Sequence, residues 1–148
     1  MGEAVEVVNP DGIYRKYLVA KINGESIDPD ADYFILRLDG GDQYATASRK
    51  AALKFADAVE DANPSLANDL RDKVFEYEKP DSAPIVSSNI LEARGHLPAK
   101  ILEVTFKGGT KYRYYGLHRG VQIDFFKAES KGSFLARKIK GNYTYRKV

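Results

Sequence analysis

The stretch Lys111-Tyr112-Arg113-Tyr114-Tyr115 sets tyrosines and cations in alternation. In a β-strand successive side chains point to opposite faces, so Tyr112 and Tyr114 share one face while Lys111, Arg113 and Tyr115 share the other. Lys and Arg neutralise backbone phosphates and release counterions, and a tyrosine face stacks on an exposed base. The Lys111, Arg113 and Tyr115 face is therefore the one expected to meet a ligand. Paired aromatics at period two pack into cores, so Tyr112 and Tyr114 are expected to hold the strand. Further cations follow: Lys131, Arg137, Lys138 and Lys140 lie on and around a short expected helix, and Arg146 and Lys147 close the chain beside Tyr143 and Tyr145. These nine residues, Tyr115 with the eight cations, form the candidate ligand-binding set.

Other chemistry has less support. His96 and His118 are the two histidines; each is expected in a turn or loop, with no third group to orient its ring as acid–base catalysis requires. There is no Walker loop, no His-Glu-x-x-His and no Gly-x-Ser-x-Gly. A chain without Cys holds neither disulfides nor thiolate metal sites. Asp39-Gly40-Gly41-Asp42 lacks the further oxygen ligands of a calcium loop and reads as a solvated turn. A non-enzyme without a cofactor or metal is expected. The turn Ser130-Lys131-Gly132-Ser133 has the character of a phosphate-binding turn, which keeps a small nucleotide open as ligand.

Charge is distributed unevenly. Residues 1–82 hold 10 Lys or Arg against 17 Asp or Glu, a balance of −7, whereas residues 83–148 hold 13 against 4, a balance of +9. Such asymmetry implies an anionic partner for the basic half, or docking of the halves on each other. The N-terminus carries acids where a signal peptide needs cations, Glu6 stands where a myristoylation signal wants Ser or Thr, and no apolar run approaches membrane-spanning length. A cytosolic protein without membrane contact is expected.

The elements that would position these residues can be read from pattern. Val5 to Val8 is at most a short strand before the turn Asn9-Pro10-Asp11-Gly12. Tyr14 to Ile22 reads as a strand ending at Asn23-Gly24, and Tyr33 to Leu38 as a buried one. Ala52, Phe55, Ala56 and Val59 mark one helix face. Asn63-Pro64 caps a second helix carrying Leu66, Leu70 and Val74 inward, with Glu60, Asp61, Asp69 and Asp72 on the wet side. Val86 to Ile90 and Ile101 to Phe106 read as strands, with a turn at His96-Leu97-Pro98 and a Gly108-Gly109 hairpin leading into the tyrosine strand. Helices are expected from Val121 to about Ala128 and after Ser130, with Phe134 and Ile139 inward, and a last strand over Tyr143 to Lys147.

The class is α+β, in two small lobes, each an antiparallel sheet with helices on one face. An acidic lobe spans residues 1–78, a proline-containing linker 79–85, and a basic lobe 86–148. Lobes this small have marginal cores, so they dock on each other or the chain forms a homo-oligomer.

Val86-Ser87-Ser88-Asn89-Ile90, Leu102 to Phe106, Tyr112-Arg113-Tyr114, Ser130-Lys131-Gly132 before Phe134, and Ile139-Lys140-Gly141 together resemble the KTSC domain family. This is a short module found on some lysyl-tRNA synthetases and alone in bacterial and phage proteins. One departure is Ala136, where family members often carry Asn. The first half is similar to an uncharacterised module of phage and prophage-linked proteins. The resemblance implies a phage or bacterial origin, and RNA binding without assigned catalytic residues. The resulting expectation is non-catalytic binding of RNA or another phosphate-bearing ligand through the basic lobe, the acidic lobe serving as a surface for a protein partner. The alternative is a phage anti-defence inhibitor that sequesters a cyclic or linear nucleotide or blocks a host protein.

Overall fold

The computed structural model describes residues 12 and 16–148. The chain divides into two units, Met1–Leu36 and Arg37–Val148. The expected features over Val5–Val8, Asn9–Asp11 and the start of the strand at Tyr14 lie outside the described residues.

The described part of the first unit contains no helix or strand. Asn23-Gly24 does make a turn, closed by the Gly24 N–H on the Lys21 carbonyl at 3.1 Å with Gly24 at φ +79°. The run from Tyr33 does not form the expected buried strand: Phe34 is 79% exposed, and a strand forms only where a neighbour accepts its ladder.

The second unit opens with α1 (Gln43–Val59), capped by Asp42, whose side chain accepts from the Ala45 N–H at 2.8 Å. Its buried face is Ala45, Ser48, Arg49, Ala52, Leu53 and Ala56. Phe55 is exposed, so the stripe runs through Leu53 instead. In α2 (Pro64–Tyr77), Asn63 caps and Pro64 occupies the first turn, as the sequence indicates. The buried face is Ala67, Arg71, Val74 and Phe75, rotated from the expected Leu66 and Leu70 because Arg71 turns inward to Asp57 at 2.9 Å and Glu60 at 3.2 Å.

The rest forms one five-stranded antiparallel meander, β1 (Ala83–Pro84), β2 (Ile90–His96), β3 (Ile101–Phe106), β4 (Lys111–Tyr115) and β5 (Tyr145–Lys147), each strand beside the next. Val86 to Asn89 is a loop, not a strand, and the turn after β2 spans Leu97 to Lys100, with Lys100 at φ +57°. Gly108 and Gly109, at φ +112° and +92°, make the hairpin into β4, where the left-handed conformation favours glycine. Between β4 and β5 come α3 (Arg119–Lys127), α4 (Lys131–Phe134) capped by Ser130, and a π-helical turn, Leu135–Ile139.

Both faces of the sheet are covered. Leu102, Val104 and Tyr114 pack with Leu117, Phe125, Leu135 and Ile139 on one side. Ile101 and Tyr115 pack with Leu53, Val74 and Phe75 of α1 and α2 on the other. The α+β class holds, but the division into two sheet-bearing lobes does not. The helices of the acidic half are the second layer of the basic half's sheet, and residues 79–85 carry β1 instead of separating two units. Cover on both faces accounts for the burial of every β3 residue from Ile101 to Thr105, the polar Glu103 and Thr105 included.

Candidate nucleic-acid interface

The β4 alternation is realised, and it sends the two faces to opposite environments. Tyr112 pairs with Val104 and Lys147, and Tyr114 with Leu102 and Tyr145. Tyr114 is buried in the core, and Tyr112 packs half-buried against it.

The other face, expected to meet a ligand, lies beneath α2. The Arg113 Nε donates to Glu103 at 2.8 Å, one terminal nitrogen to Asp72 at 3.2 Å and the other to Glu76, while its guanidinium covers the Phe75 ring at 4.6 Å. The Tyr115 hydroxyl donates to Asp72 at 2.9 Å. Arg146 donates to Asp69 at 2.6 Å and to Asp72 at 3.2 Å, and lies over the Tyr115 ring. Burial acts to lower the Arg113 pKa, but the hydrogen bonds to Glu103, Glu76 and Asp72 outweigh it and hold the guanidinium more firmly protonated than usual. Burial, then the bond to Asp72, pushes the Tyr115 phenol up. Three of the nine candidates, Arg113, Tyr115 and Arg146, are thus engaged by acids expected on the wet side. Aspartates 69 and 72 sit one turn apart on α2, and Glu76 a further turn on, so one helix face meets the row of cations.

The remaining candidates fall into three places. Lys111 is half-buried on the α2 side of β4. Lys131 is half-buried and donates to the Ala128 carbonyl at 2.9 Å. Arg137, Lys138, Lys140 and Lys147 are exposed, and none belongs to an ion pair among the described residues. Lys140 and Lys147 meet at an aromatic row. Phe106 stands edge-on to Tyr112 at 5.9 Å, Tyr112 edge-on to Tyr145 at 5.7 Å, and Tyr145 tilts over Tyr114 at 5.9 Å. The Lys140 Nζ lies 5.2 Å from the Phe106 centroid, and Lys147 is the register partner of Tyr112, hence on the same face. Tyr145 remains 60% exposed at the end of this row. Sequence reading passed over Phe106 and Tyr145 as binding residues, although Tyr145 was legible as alternating with Lys147.

His118 lies in a loop as expected, whereas His96 does not lie in a turn. His96 ends β2 and is buried. Its Nδ1 accepts from the Ala99 N–H at 3.0 Å, so its Nε2 donates to Glu78 at 3.0 Å, and Glu78 also receives Arg49 at 2.7 Å. His118 is exposed and precedes α3. No group of three or more His, Cys, Asp or Glu suited to a metal ion occurs among the described residues, and no helix among them is long and apolar enough to cross a membrane.

A small α+β domain with one buried ionic sheet face and one aromatic, cation-edged face is what the fold defines. The family model of the KTSC domain matches residues 86–143. A KTSC domain protein from Yersinia pestis, known as a crystal structure, is 33% identical; the alignment covers 46% of this chain and 96% of that one, with a TM-score of 0.44. Through this segment the chain belongs to the KTSC domain family. Among curated proteins the sequence has no match. Both α1 and α2 lie outside the matched segment.

Proposed function

We propose that this protein binds single-stranded RNA, without catalysis, along the row Phe106, Tyr112 and Tyr145 flanked by Lys140 and Lys147. The observation that carries the reading is Tyr145: a ring 60% exposed, held edge-on by Tyr112, beside cations that no described carboxylate neutralises. A ring fixed by its neighbours stacks on a base with little loss of side-chain freedom, and lysines at its edge follow the phosphates. Arg137 and Lys138 on the adjoining π-helical turn extend the positive field. Sequence preference is weak in this reading, because stacking and phosphate contact tolerate every base. Arg113, Tyr115 and Arg146 hold α2 in place and take no direct part.

The test is fluorescence anisotropy of a labelled single-stranded RNA titrated with the full chain and with Tyr145→Ala. Saturable binding weakened about tenfold or more by the substitution supports the reading, since one stacked base contributes about 1–3 kcal/mol. Binding that is undetectable at low salt, or unchanged by Tyr145→Ala, removes it.

A further inference from the structure

A polar cleft of about 320 Å³ opens between the loop Val86 to Asn89 and the turn Ser130 to Ser133. Its size is at the small end for a ligand site. Its shape depends on Gly132: a Cβ there would stand 3.0 Å from the Asn89 Oδ1 and 3.3 Å from the Ser87 Oγ, so the turn comes this close to the loop because it carries no side chain.

The polar groups of the lining differ in what they have left to offer. The Ser87 hydroxyl is spent, donating to the Asn89 Oδ1 at 3.0 Å and accepting from the backbone N–H groups of Asn89 and Ile90 at 3.3 Å. That arrangement fixes the Asn89 amide with its oxygen toward Ser87. The Asn89 Nδ2 then has no protein partner, and neither do the hydroxyls of Ser88 and Ser133 among the described residues. Lys131 uses one of its three N–H donors on the Ala128 carbonyl. The lining is therefore rich in unspent donors and includes one cation. Its carboxylate is that of Glu129, which is exposed.

We propose that this cleft binds the monophosphate group of a phosphorylated sugar. Asn89 Nδ2, Ser88, Ser133 and Lys131 donate to the phosphoryl oxygens, and Glu129 accepts from the sugar hydroxyls. A phosphoryl dianion matches several donors around one cation, because its terminal oxygens accept many charge-assisted bonds. The Glu129 carboxylate repels a second phosphate, which selects a monophosphate over a polyphosphate. The sugar phosphate is either a free metabolite or the 5′ end of a nucleic-acid strand. The proposal is independent of the aromatic row, since it uses none of Phe106, Tyr112, Tyr145, Lys140 or Lys147.

The experiment follows backbone amide shifts of the full chain by NMR during titration with inorganic phosphate, ribose 5-phosphate, and short RNAs bearing a 5′-phosphate or a 5′-hydroxyl. The discriminating variant is Asn89→Asp, which keeps the oxygen that Ser87 needs and replaces the free donor by an anion. Ser88→Ala with Ser133→Ala is the second, because these hydroxyls make no internal bond whose loss would unfold the chain. Saturable shifts at residues 87–89 and 130–133 with ribose 5-phosphate, weakened about tenfold or more in Asn89→Asp, support the site with a free sugar phosphate as its source. The same pattern with 5′-phosphorylated RNA, and not with the 5′-hydroxyl strand, supports it with a strand end as the source. No saturable shift with either phosphorylated probe overturns it, as do shifts that persist unchanged in both variants. Loss of RNA binding in Tyr145→Ala bears on the aromatic row alone.

Discussion

The Tyr115 hydroxyl donates to Asp72 at 2.9 Å, joining the strand expected to meet a ligand to a helix of the acidic half. Asp72 also receives Arg113 and Arg146, so one carboxylate gathers three of the candidate binding residues into the interior contact between α2 and the sheet. The charge asymmetry of the sequence is answered here in part within the chain.

Removing the guanidinium at this contact should therefore cost stability. Glu103 is 2% exposed and relies on Arg113, with Arg94 at 3.7 Å as its other cation. Leaving a buried carboxylate without its partner costs about 3–5 kcal/mol. Arg113→Met should lower the urea midpoint accordingly, while the Arg113→Met, Glu103→Leu double variant should recover much of the loss. Equal destabilisation of single and double variants would contradict the pairing.

The phenols of Tyr114 and Tyr115 report on the same core at high pH. Burial is the first cause that raises both, followed for Tyr115 by its bond to Asp72. A group whose folded pKa lies above its unfolded value contributes stability that is fully present below the unfolded value, about 10 for tyrosine, and that fades as pH rises toward the folded one. Stability should fall above about pH 10, and Tyr115→Phe should make the fall shallower. Thermal unfolding followed across that range, with phenolate absorbance read in parallel, checks both.

Acid should act on the α2 contact in the opposite sense. The hydrogen bond from Arg113 is the main cause lowering the Glu76 carboxyl below its ordinary value. A depressed folded pKa gives stability that is present above the unfolded value and is lost as pH falls through the folded one. Glu76→Gln should flatten the acid limb of the urea midpoint against pH below about pH 4.5 and leave the neutral and alkaline regions in parallel with the native chain.

Gly95 in β2 should not tolerate a methyl group. A Cβ there would meet the Gln122 Oε1 and the Phe126 Cε2 at 2.8 Å, and Gln122 is held by the carbonyls of His96 and Leu117. Gly95→Ala should cost about 1–3 kcal/mol through overpacking, measured by urea unfolding. An unchanged midpoint would mean that Phe126 yields freely.

Much of the fold was legible residue by residue. Ser130 and Asn63-Pro64 at helix starts, the Gly108-Gly109 hairpin and the period of β4 all act within a few residues and depend on little else, whereas Asp42 read as a solvated turn and caps α1. The division of β4 into two faces was legible too, but not which face is covered. That depends on α2, whose Asp69 and Asp72 lie about 40 residues earlier and read as solvated acids in isolation. The apolar run from Tyr33 misled for the complementary reason: strand propensity yields no strand where no pairing neighbour stands among the described residues. Lys140 and Lys147 were found as charges, whereas their grouping depends on the pairing of β4 with β5, which brings Tyr145 beside Tyr112 and Tyr114.

The salt dependence of RNA affinity compares the two sheet faces most directly. Anisotropy titrations over a series of salt concentrations should be run on the native chain, on Lys140→Gln with Lys147→Gln, and on Arg146→Gln. Each phosphate contact on a single strand contributes about 0.7 to the slope of log affinity against log salt. The account predicts a slope shallower by about 1.4 for the lysine pair and an unchanged slope for Arg146→Gln, whose charge is held by Asp69 and Asp72. A slope unaffected by the lysine pair but reduced by Arg146→Gln would contradict it.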